Sequence, residues 1–267
     1  MQPNDQPVCP QCGWPEDASN APHQLRCGTM LRGQYLVGKV LGQGGFGITY
    51  LGYDTYLDMP VAIKEFYPGN LVGRDHNQSS TVTVHTGTPD NHYYGSLDRF
   101  IREAKALAKL RNVSHIVGVQ SFFQENNTAY IIMEYVRGTE LREYVRNRGG
   151  RLSVTETLRI LEPIVLALTR VHSEGLVHRD ISPDNIMLHP TEGAMLLDFG
   201  AVRNVENPDP EKELTRSTEA IVKHGFAPME QYRNRGGIGP WTDLYALCAT
   251  IYYCLTCGCP HPLHGRR

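Results

Sequence analysis

The segment HRDISPDN, residues 178–185, sets an acid at Asp180 and an amide at Asn185 on one short stretch. LLDFG, residues 196–200, places a second acid, Asp198, after an apolar run. Two carboxylates and an amide can divide two tasks. The oxygens of Asn185 and Asp198 suit a hard divalent cation such as Mg2+. Asp180 can accept a proton from a hydroxyl. PVAIKEF, residues 60–66, puts Lys64 in an apolar, strand-like run, where a charge is costly unless paired. Glu103, near the edge of the apolar face of a following helical segment, is the candidate partner. Taken singly, each would be an ordinary solvated charge; paired, they hold a cation over phosphate oxygens. Upstream, LGQGGFGITYLG carries Gly42, Gly44 and Gly47 as G-x-G-x-x-G. The same spacing opens a helix in dinucleotide-binding domains. Here strand-like ITYLGY follows, so the loop is expected to join two antiparallel strands and expose backbone N–H groups to phosphates. A plain hairpin is the competing reading.

The elements that must position these residues are legible in outline. YLVGKVL, ITYLGY and PVAIKEF are β-branched or aromatic runs between turn residues and read as strands. A polar insertion from Pro68 to Ser96 contains TVTVH, a short strand candidate. LDRFIREAKALAKL, residues 97–110, places Phe100, Ala104, Leu107 and Leu110 on one helical face. HIVGVQSFF and TAYIIMEYV again read as strands. Ser153 to His172 reads as a long amphipathic helix, with Ser153 and Glu156 at capping-box spacing. Trp241 opens the last helix. A strand-rich first part with one helix followed by a helix-rich second part implies an α+β chain of two lobes.

Composition bounds the function class. The 267 residues are 40% hydrophobic and 20% charged, enough for a sizeable core, and the net charge of −2 argues against a nucleic-acid partner. Seven cysteines and a polar start, MQPNDQPVCP, point away from export and disulfides and toward the cytoplasm. Leu244 to Gly265 lacks Asp, Glu, Lys and Arg, but its helical part must stop near Gly258 and Pro260. A membrane span needs about 20 consecutive apolar residues, so a buried core helix is expected and no membrane segment.

Taken in order, the Gly-rich loop, VAIK, the helix Glu, HRD…N, DFG and APME (227–230) resemble the eukaryotic-like serine/threonine protein kinases of bacteria over about residues 35–260. The resemblance implies a bilobal kinase fold. Residues 1–33 would be a Cys-containing, zinc-ribbon-like extension, 35–136 the antiparallel-sheet lobe, and 137–267 a mostly helical lobe shortened after the Asp243 helix. It implies transfer of the ATP γ-phosphoryl group to Ser/Thr hydroxyls of proteins, including autophosphorylation. An ATP-binding pseudokinase or scaffold is the alternative. By resemblance, Leu41, Gly42, Gly44, Gly45, Gly47 and Thr49 cover the nucleotide, and Ala62, Met133, Glu134, Val136 and Met187 surround adenine. Lys64 with Glu103 holds the α- and β-phosphates, Asp180 is the base, and Asn185 and Asp198 hold Mg2+. Thr215, Ser217 and Thr218 are candidate phosphorylation sites.

Two departures stand out. Such kinases usually carry Lys at the position of Ser182, where it contacts the γ-phosphate; Ser adds no charge. Glu230 usually pairs with an Arg from a region that the shortened lobe lacks, so an unpartnered carboxylate, exposed apolar surface, misfolding or a dimer is expected. The cysteines leave two readings. Cys9, Cys12, His23 and Cys27 have the donor types for Zn2+, or the N-terminal segment is a disordered tail with free thiols. Cys248 and Cys254 read as core residues.

Overall fold

A computed structural model describes residues 19–45, 47–74, 79–198, 203–204, 223–232 and 237–258. The chain divides into two compact units, Met1–Ile101 with Val119–Tyr135, and Arg102–Gly118 with Val136–Arg267.

The first unit is built on a six-stranded antiparallel sheet. Its strands are β1 (Met30–Leu31), β2 (Tyr35–Gly44), β3 (Gly47–Asp54), β4 (Met59–Phe66), β7 (Val119–Glu125) and β8 (Thr128–Glu134), in the order β1-β2-β3-β4-β8-β7. β3 alternates buried and half-buried residues along its whole length, the period of two that a strand with one covered face requires. Ile48, Tyr50, Ile63, Tyr130 and Ile132 lie fully buried on these strands and form its core. The segment from Ser19 to Gly33, part of the expected N-terminal extension, is knitted into this sheet. β1 pairs with β2, the Leu25 N–H donates to the Tyr50 hydroxyl at 3.0 Å, and the Asn20 amide donates to the carbonyls of Leu25 and Gly38.

Within the insertion, β5 (Val72–Gly73) and β6 (Thr83–Val84) form a two-stranded ribbon, so TVTVH does contain a strand. The insertion also ends earlier than expected, because helix α1 (Asp90–Ala108) begins seven residues before Leu97. The extra turns are used: Tyr93 is fully buried, its ring lies 5.6 Å from that of Phe66, and its hydroxyl donates to the Asn127 carbonyl. Arg74 of the insertion reaches Glu65 on β4. The pair is side-chain buried, and the Tyr50 and Tyr130 hydroxyls also donate to the Glu65 carboxylate, at 2.8 and 3.1 Å. Burial and this carboxylate push both phenols well above their usual range. Fixed hydroxyl donors and a guanidinium satisfy a charge that would otherwise be strongly disfavoured on a central strand.

The second unit contains β9 (Thr139–Glu140), α2 (Leu141–Asn147), α3 (Val154–Ser173), β10 (Leu176–Val177), a 3-10 turn at Pro183–Asn185, β11 (Ile186–His189), β12 (Gly193–Leu196), β13 (Arg203–Asn204), α4 (Met229–Tyr232) and α5 (Pro240–Thr256). β12, β11 and β9 form a small antiparallel sheet, and β10 pairs with β13. α3 starts where expected, with the Ser153 hydroxyl accepting from the Glu156 N–H at 3.2 Å. The Glu156 carboxylate is turned to the Tyr144 hydroxyl, at 2.9 Å. α3 packs against α5 and β12, and Leu161, Ile164, Leu168 and Val171 are among its buried residues. Gly138 lies so close to β11 that a Cβ would stand 2.3 Å from the Leu188 carbonyl oxygen, so no side chain fits there. No helix among the described residues is long and apolar enough to cross a membrane.

Candidate active site

Asp243 organises the loop 178–185. It is fully buried near the start of α5, and its carboxylate accepts the backbone N–H of Arg179 at 2.7 Å and that of His178 at 2.8 Å. His172 of α3 adds a third contact at 2.8 Å. These bonds hold Arg179 at φ 71°, a left-handed backbone that a long side chain rarely adopts. Gln231 of α4 donates to the Arg179 carbonyl at 2.8 Å and fixes the same turn from the other side.

His178 then ties this loop to the one that carries Asp198. The ring is fully buried; its Nδ1 accepts the Asp180 N–H at 3.2 Å, and its Nε2 lies 3.2 Å from the Leu197 carbonyl. One nitrogen accepting and the other donating describes the neutral Nε2–H tautomer. Burial lowers the pKa of the imidazole, which favours that form. Leu197 is held a second time, since its N–H donates to the Asn185 carbonyl at 2.8 Å. Asp198 follows directly, at φ 49°. Thus the two acidic loops, 18 positions apart by the difference of 198 and 180, are joined by bonds through His178 and Asn185.

The side chains on this frame are arranged for proton and phosphate chemistry. The Asn185 amide donates to both the carbonyl and the carboxylate of Asp180, each at 2.8 Å. That fixes the Asp180 carboxylate and leaves the Asn185 amide oxygen as an acceptor. Burial raises the pKa of Asp180; Lys223, His178 and the Asn185 hydrogen bond pull the other way, and Asp198 adds to the rise. Lys223 comes from the segment before α4. Its ammonium donates to the Ser182 hydroxyl at 2.7 Å and pairs with Asp184 at 2.7 Å. Asp184 is also held by the Arg142 guanidinium of α2, which lies over the Tyr253 ring at 4.7 Å. Burial would raise the pKa of Asp184, but the Arg142 and Lys223 contacts carry it below the usual range.

The first unit holds the residues expected at the nucleotide. β2 and β3 form an antiparallel hairpin with Gly42 opposite Thr49 and Gly44 opposite Gly47, so the glycine motif joins strands and does not open a helix. Leu41 is exposed on β2, and Gly45 follows in the turn. Thr49 is in register with Lys64, Ala62 with Met133, and Val61 with Glu134. The three motif glycines are present for different reasons. A Cβ on Gly47 would lie 2.4 Å from the Glu65 carbonyl oxygen, so packing alone requires glycine there. A Cβ on Gly42 or Gly44 would meet nothing within 4 Å, and neither residue has a left-handed backbone. Among the described residues no packing or backbone constraint calls for glycine at those two positions, which suits a ligand whose phosphates approach the strand backbone.

Val136, Met187, Glu103, Asp180, Asn185 and Asp198 belong to the second unit. Met187 on β11 stands opposite Met195 and Glu140. Phe199, Gly200, Thr215, Ser217, Thr218, Cys9 and Cys12 lie outside the described residues. Of the zinc candidates, Cys27 is exposed and His23 Nε2 bonds to Gln43 at 3.0 Å. Among the described residues no group of three or more His, Cys, Asp or Glu could hold a metal. One amide with one carboxylate falls below that number, and Mg2+ commonly takes its remaining oxygens from water and phosphate. Two expectations change. Glu230 has a partner, because the Thr242 hydroxyl donates to it at 3.1 Å. Cys248 is exposed on α5; Cys254 is buried as expected, and burial pushes its thiol up to about 12. Sequence reasoning passed over Asp243, although it is the only charge in the run from Trp241 to Thr256. It also passed over Lys223, for which spacing gives no signal.

The arrangement is that of a protein kinase. Residues 35–266 match the protein kinase domain family, and the chain belongs to it. Two similar proteins are bacterial kinases. It is 30% identical to serine/threonine-protein kinase B of Synechocystis sp. over 258 residues, covering 93% of this chain and 42% of the relative. It is 31% identical to serine/threonine-protein kinase PrkC of Bacillus subtilis, covering 86% of this chain and 31% of that protein. The chain therefore spans less than half the length of these two relatives. A solved structure described as "PpkA-294 apo form" superposes with a TM-score of 0.75 at 33% identity, covering 90% of this chain and 81% of that one.

Proposed function

We propose that this chain transfers the γ-phosphoryl group of ATP to Ser or Thr hydroxyls of proteins, itself among them, in the cytoplasm. The observation that carries the reading is the Asp180 carboxylate, half-buried, gripped by Asn185 and bonded through His178 to the strand end that presents Asp198. Glu65 takes its hydroxyl partners from one sheet, whereas the frame of Asp180 ties it to a second acid, Asp198. That placement suits a proton acceptor, because phosphoryl transfer depends mainly on positioning and charge.

In this reading Asp180 receives the proton of the substrate hydroxyl as its oxygen forms a bond to the γ-phosphorus. The bond from that phosphorus to the bridging oxygen breaks, and ADP leaves with the electron pair. The raised pKa of Asp180 brings its basicity closer to the working pH. The Asn185 amide oxygen and Asp198 would hold Mg2+, which neutralises phosphate charge when bound. Lys64 on β4, with Glu103 as its counter-charge, would hold the α- and β-phosphates, while Gly42 and Gly44 admit them to the β2–β3 backbone. Ala62, Met133, Glu134, Val136 and Met187 would surround the adenine.

The test is incorporation of labelled phosphate from Mg-ATP into the chain and into a generic acceptor protein, with site mapping. Asp180→Asn should abolish incorporation while keeping ATP binding. Equal incorporation by the two proteins would refute the reading.

A further inference from the structure

We propose that Lys223 supplies the cation missing at Ser182, so that the γ-phosphate contact comes from the segment before α4 and not from the catalytic loop. The inference rests on the kinase reading above and concerns the residue that handles the transferring group.

The placement is specific. The Ser182 hydroxyl is fully buried and takes the Lys223 ammonium at 2.7 Å, so the amine sits where the side chain of residue 182 ends. A lysine at 182 would compete for the same space and repel the same charge. The two residues therefore read as one exchange: a short hydroxyl on the loop and a long amine from position 223. Asp184 fixes the amine from a second side, at 2.7 Å, and Arg142 fixes Asp184 in turn. An ammonium has three N–H donors. Among the described residues two are engaged, and a third can serve a phosphoryl oxygen. Electrostatics agree, since Lys223 is the foremost of the influences that hold down the pKa of half-buried Asp180.

The chemistry follows from charge. As the γ-phosphorus passes from the ADP oxygen to the substrate oxygen, negative charge spreads over its equatorial oxygens. A fixed ammonium beside them stabilises that state more than the ground state. Lys223 also links catalysis to the segment that bears it: when residue 223 is out of place, the loop keeps its base but loses its cation.

The purely structural account is that Lys223 only neutralises Asp184. The variants separate the two. Lys223→Met should lower kcat by about 100-fold or more, the usual cost of one lost transition-state donor, with the melting temperature little changed. Binding of a non-hydrolysable ATP analogue should weaken about tenfold while ADP binding stays constant, as expected for one lost charged hydrogen bond. Ser182→Lys combined with Lys223→Ser should recover at least about tenfold over Lys223→Ser alone. Asp184→Asn combined with Lys223→Met should stay as low as Lys223→Met. Three results would overturn the proposal: Lys223→Met with wild-type kcat, equal loss of ADP and analogue binding, or recovery in the Asp184→Asn double variant. If wild type fails to incorporate phosphate, the kinase reading falls and this proposal with it. If wild type works, Asp180→Asn does not, and Lys223→Met matches wild type, only this proposal falls.

Discussion

Replacing Asp243 by Asn tests whether one buried carboxylate sets the catalytic loop. The substitution conserves shape and removes one acceptor oxygen. In the native site the carboxylate accepts two backbone N–H groups, at 2.7 and 2.8 Å, and faces His172 at 2.8 Å. An amide offers one carbonyl oxygen, and its NH2 must confront one of those donors. The loss is one charge-assisted hydrogen bond, about 1.5–3 kcal/mol, and one buried N–H left unsatisfied, about 1–3 kcal/mol. Together roughly 3–5 kcal/mol is a large share of a domain's stability, yet compatible with folding. The second consequence is local. Arg179 is held at φ 71° by the bond that weakens, and such backbone strain costs about 1–3 kcal/mol when unsupported. Its relaxation moves Asp180, the next residue. A displacement near 1 Å costs on the order of 100-fold in rate. Thermal melting should therefore fall by roughly 10 °C, and kcat by about 100-fold, while KM for ATP changes little, because Lys64 and the glycine hairpin lie in the other unit. Asp243→Asn with wild-type melting and wild-type kcat would refute the reasoning. So would a loss confined to KM.

Three further outcomes follow from the same structure. Gly42→Ala and Gly44→Ala should leave stability unchanged or slightly improved, since a Cβ meets nothing there, but raise KM for ATP about tenfold; Gly47→Ala should instead destabilise by about 1–3 kcal/mol against the Glu65 carbonyl, measured by urea unfolding. Arg74→Met should cost about 3–5 kcal/mol by stranding buried Glu65, and adding Glu65→Gln should recover most of it, which a double-mutant cycle would register. Burial depresses the pKa of His178 below its ordinary 6.5. The unfolded chain therefore binds the extra proton: stability is full above pH 6.5 and is lost as pH falls from there toward the depressed value. Calorimetric unfolding just below pH 6.5 in buffers of different ionisation enthalpy should show proton uptake that shrinks in His178→Gln.

How far the sequence carries the site depends on where each residue's constraint originates. Strands β2, β3, β4 and β8 were legible because their apolar runs and turn residues are local signals. Asp180, Asn185 and Asp198 were legible because their motifs sit on short loops whose spacing is itself the geometry. The start of α1 was misjudged because residues 90–96 carry His, Tyr, Gly and Ser, which are ordinary or poor helix formers; burial of Tyr93 against Phe66 overrides that propensity. The Glu65–Arg74 pair was invisible because it joins a strand to an insertion whose path no local pattern sets. Asp243 was half-visible: a lone acid in an apolar helix must have a partner, but here the partners are backbone N–H groups 64 and 65 positions away, which carry no residue signature. Lys223 illustrates the limit most sharply. From the sequence Ser182 looks like a lost charge, and the inference stops there. In the fold a cation from 41 positions downstream stands on that hydroxyl. The charge at a site is a property of the volume around the reacting atoms and not of a motif position. A substitution that removes a group from the motif thus implies loss of function only after the neighbouring segments have been searched for its replacement.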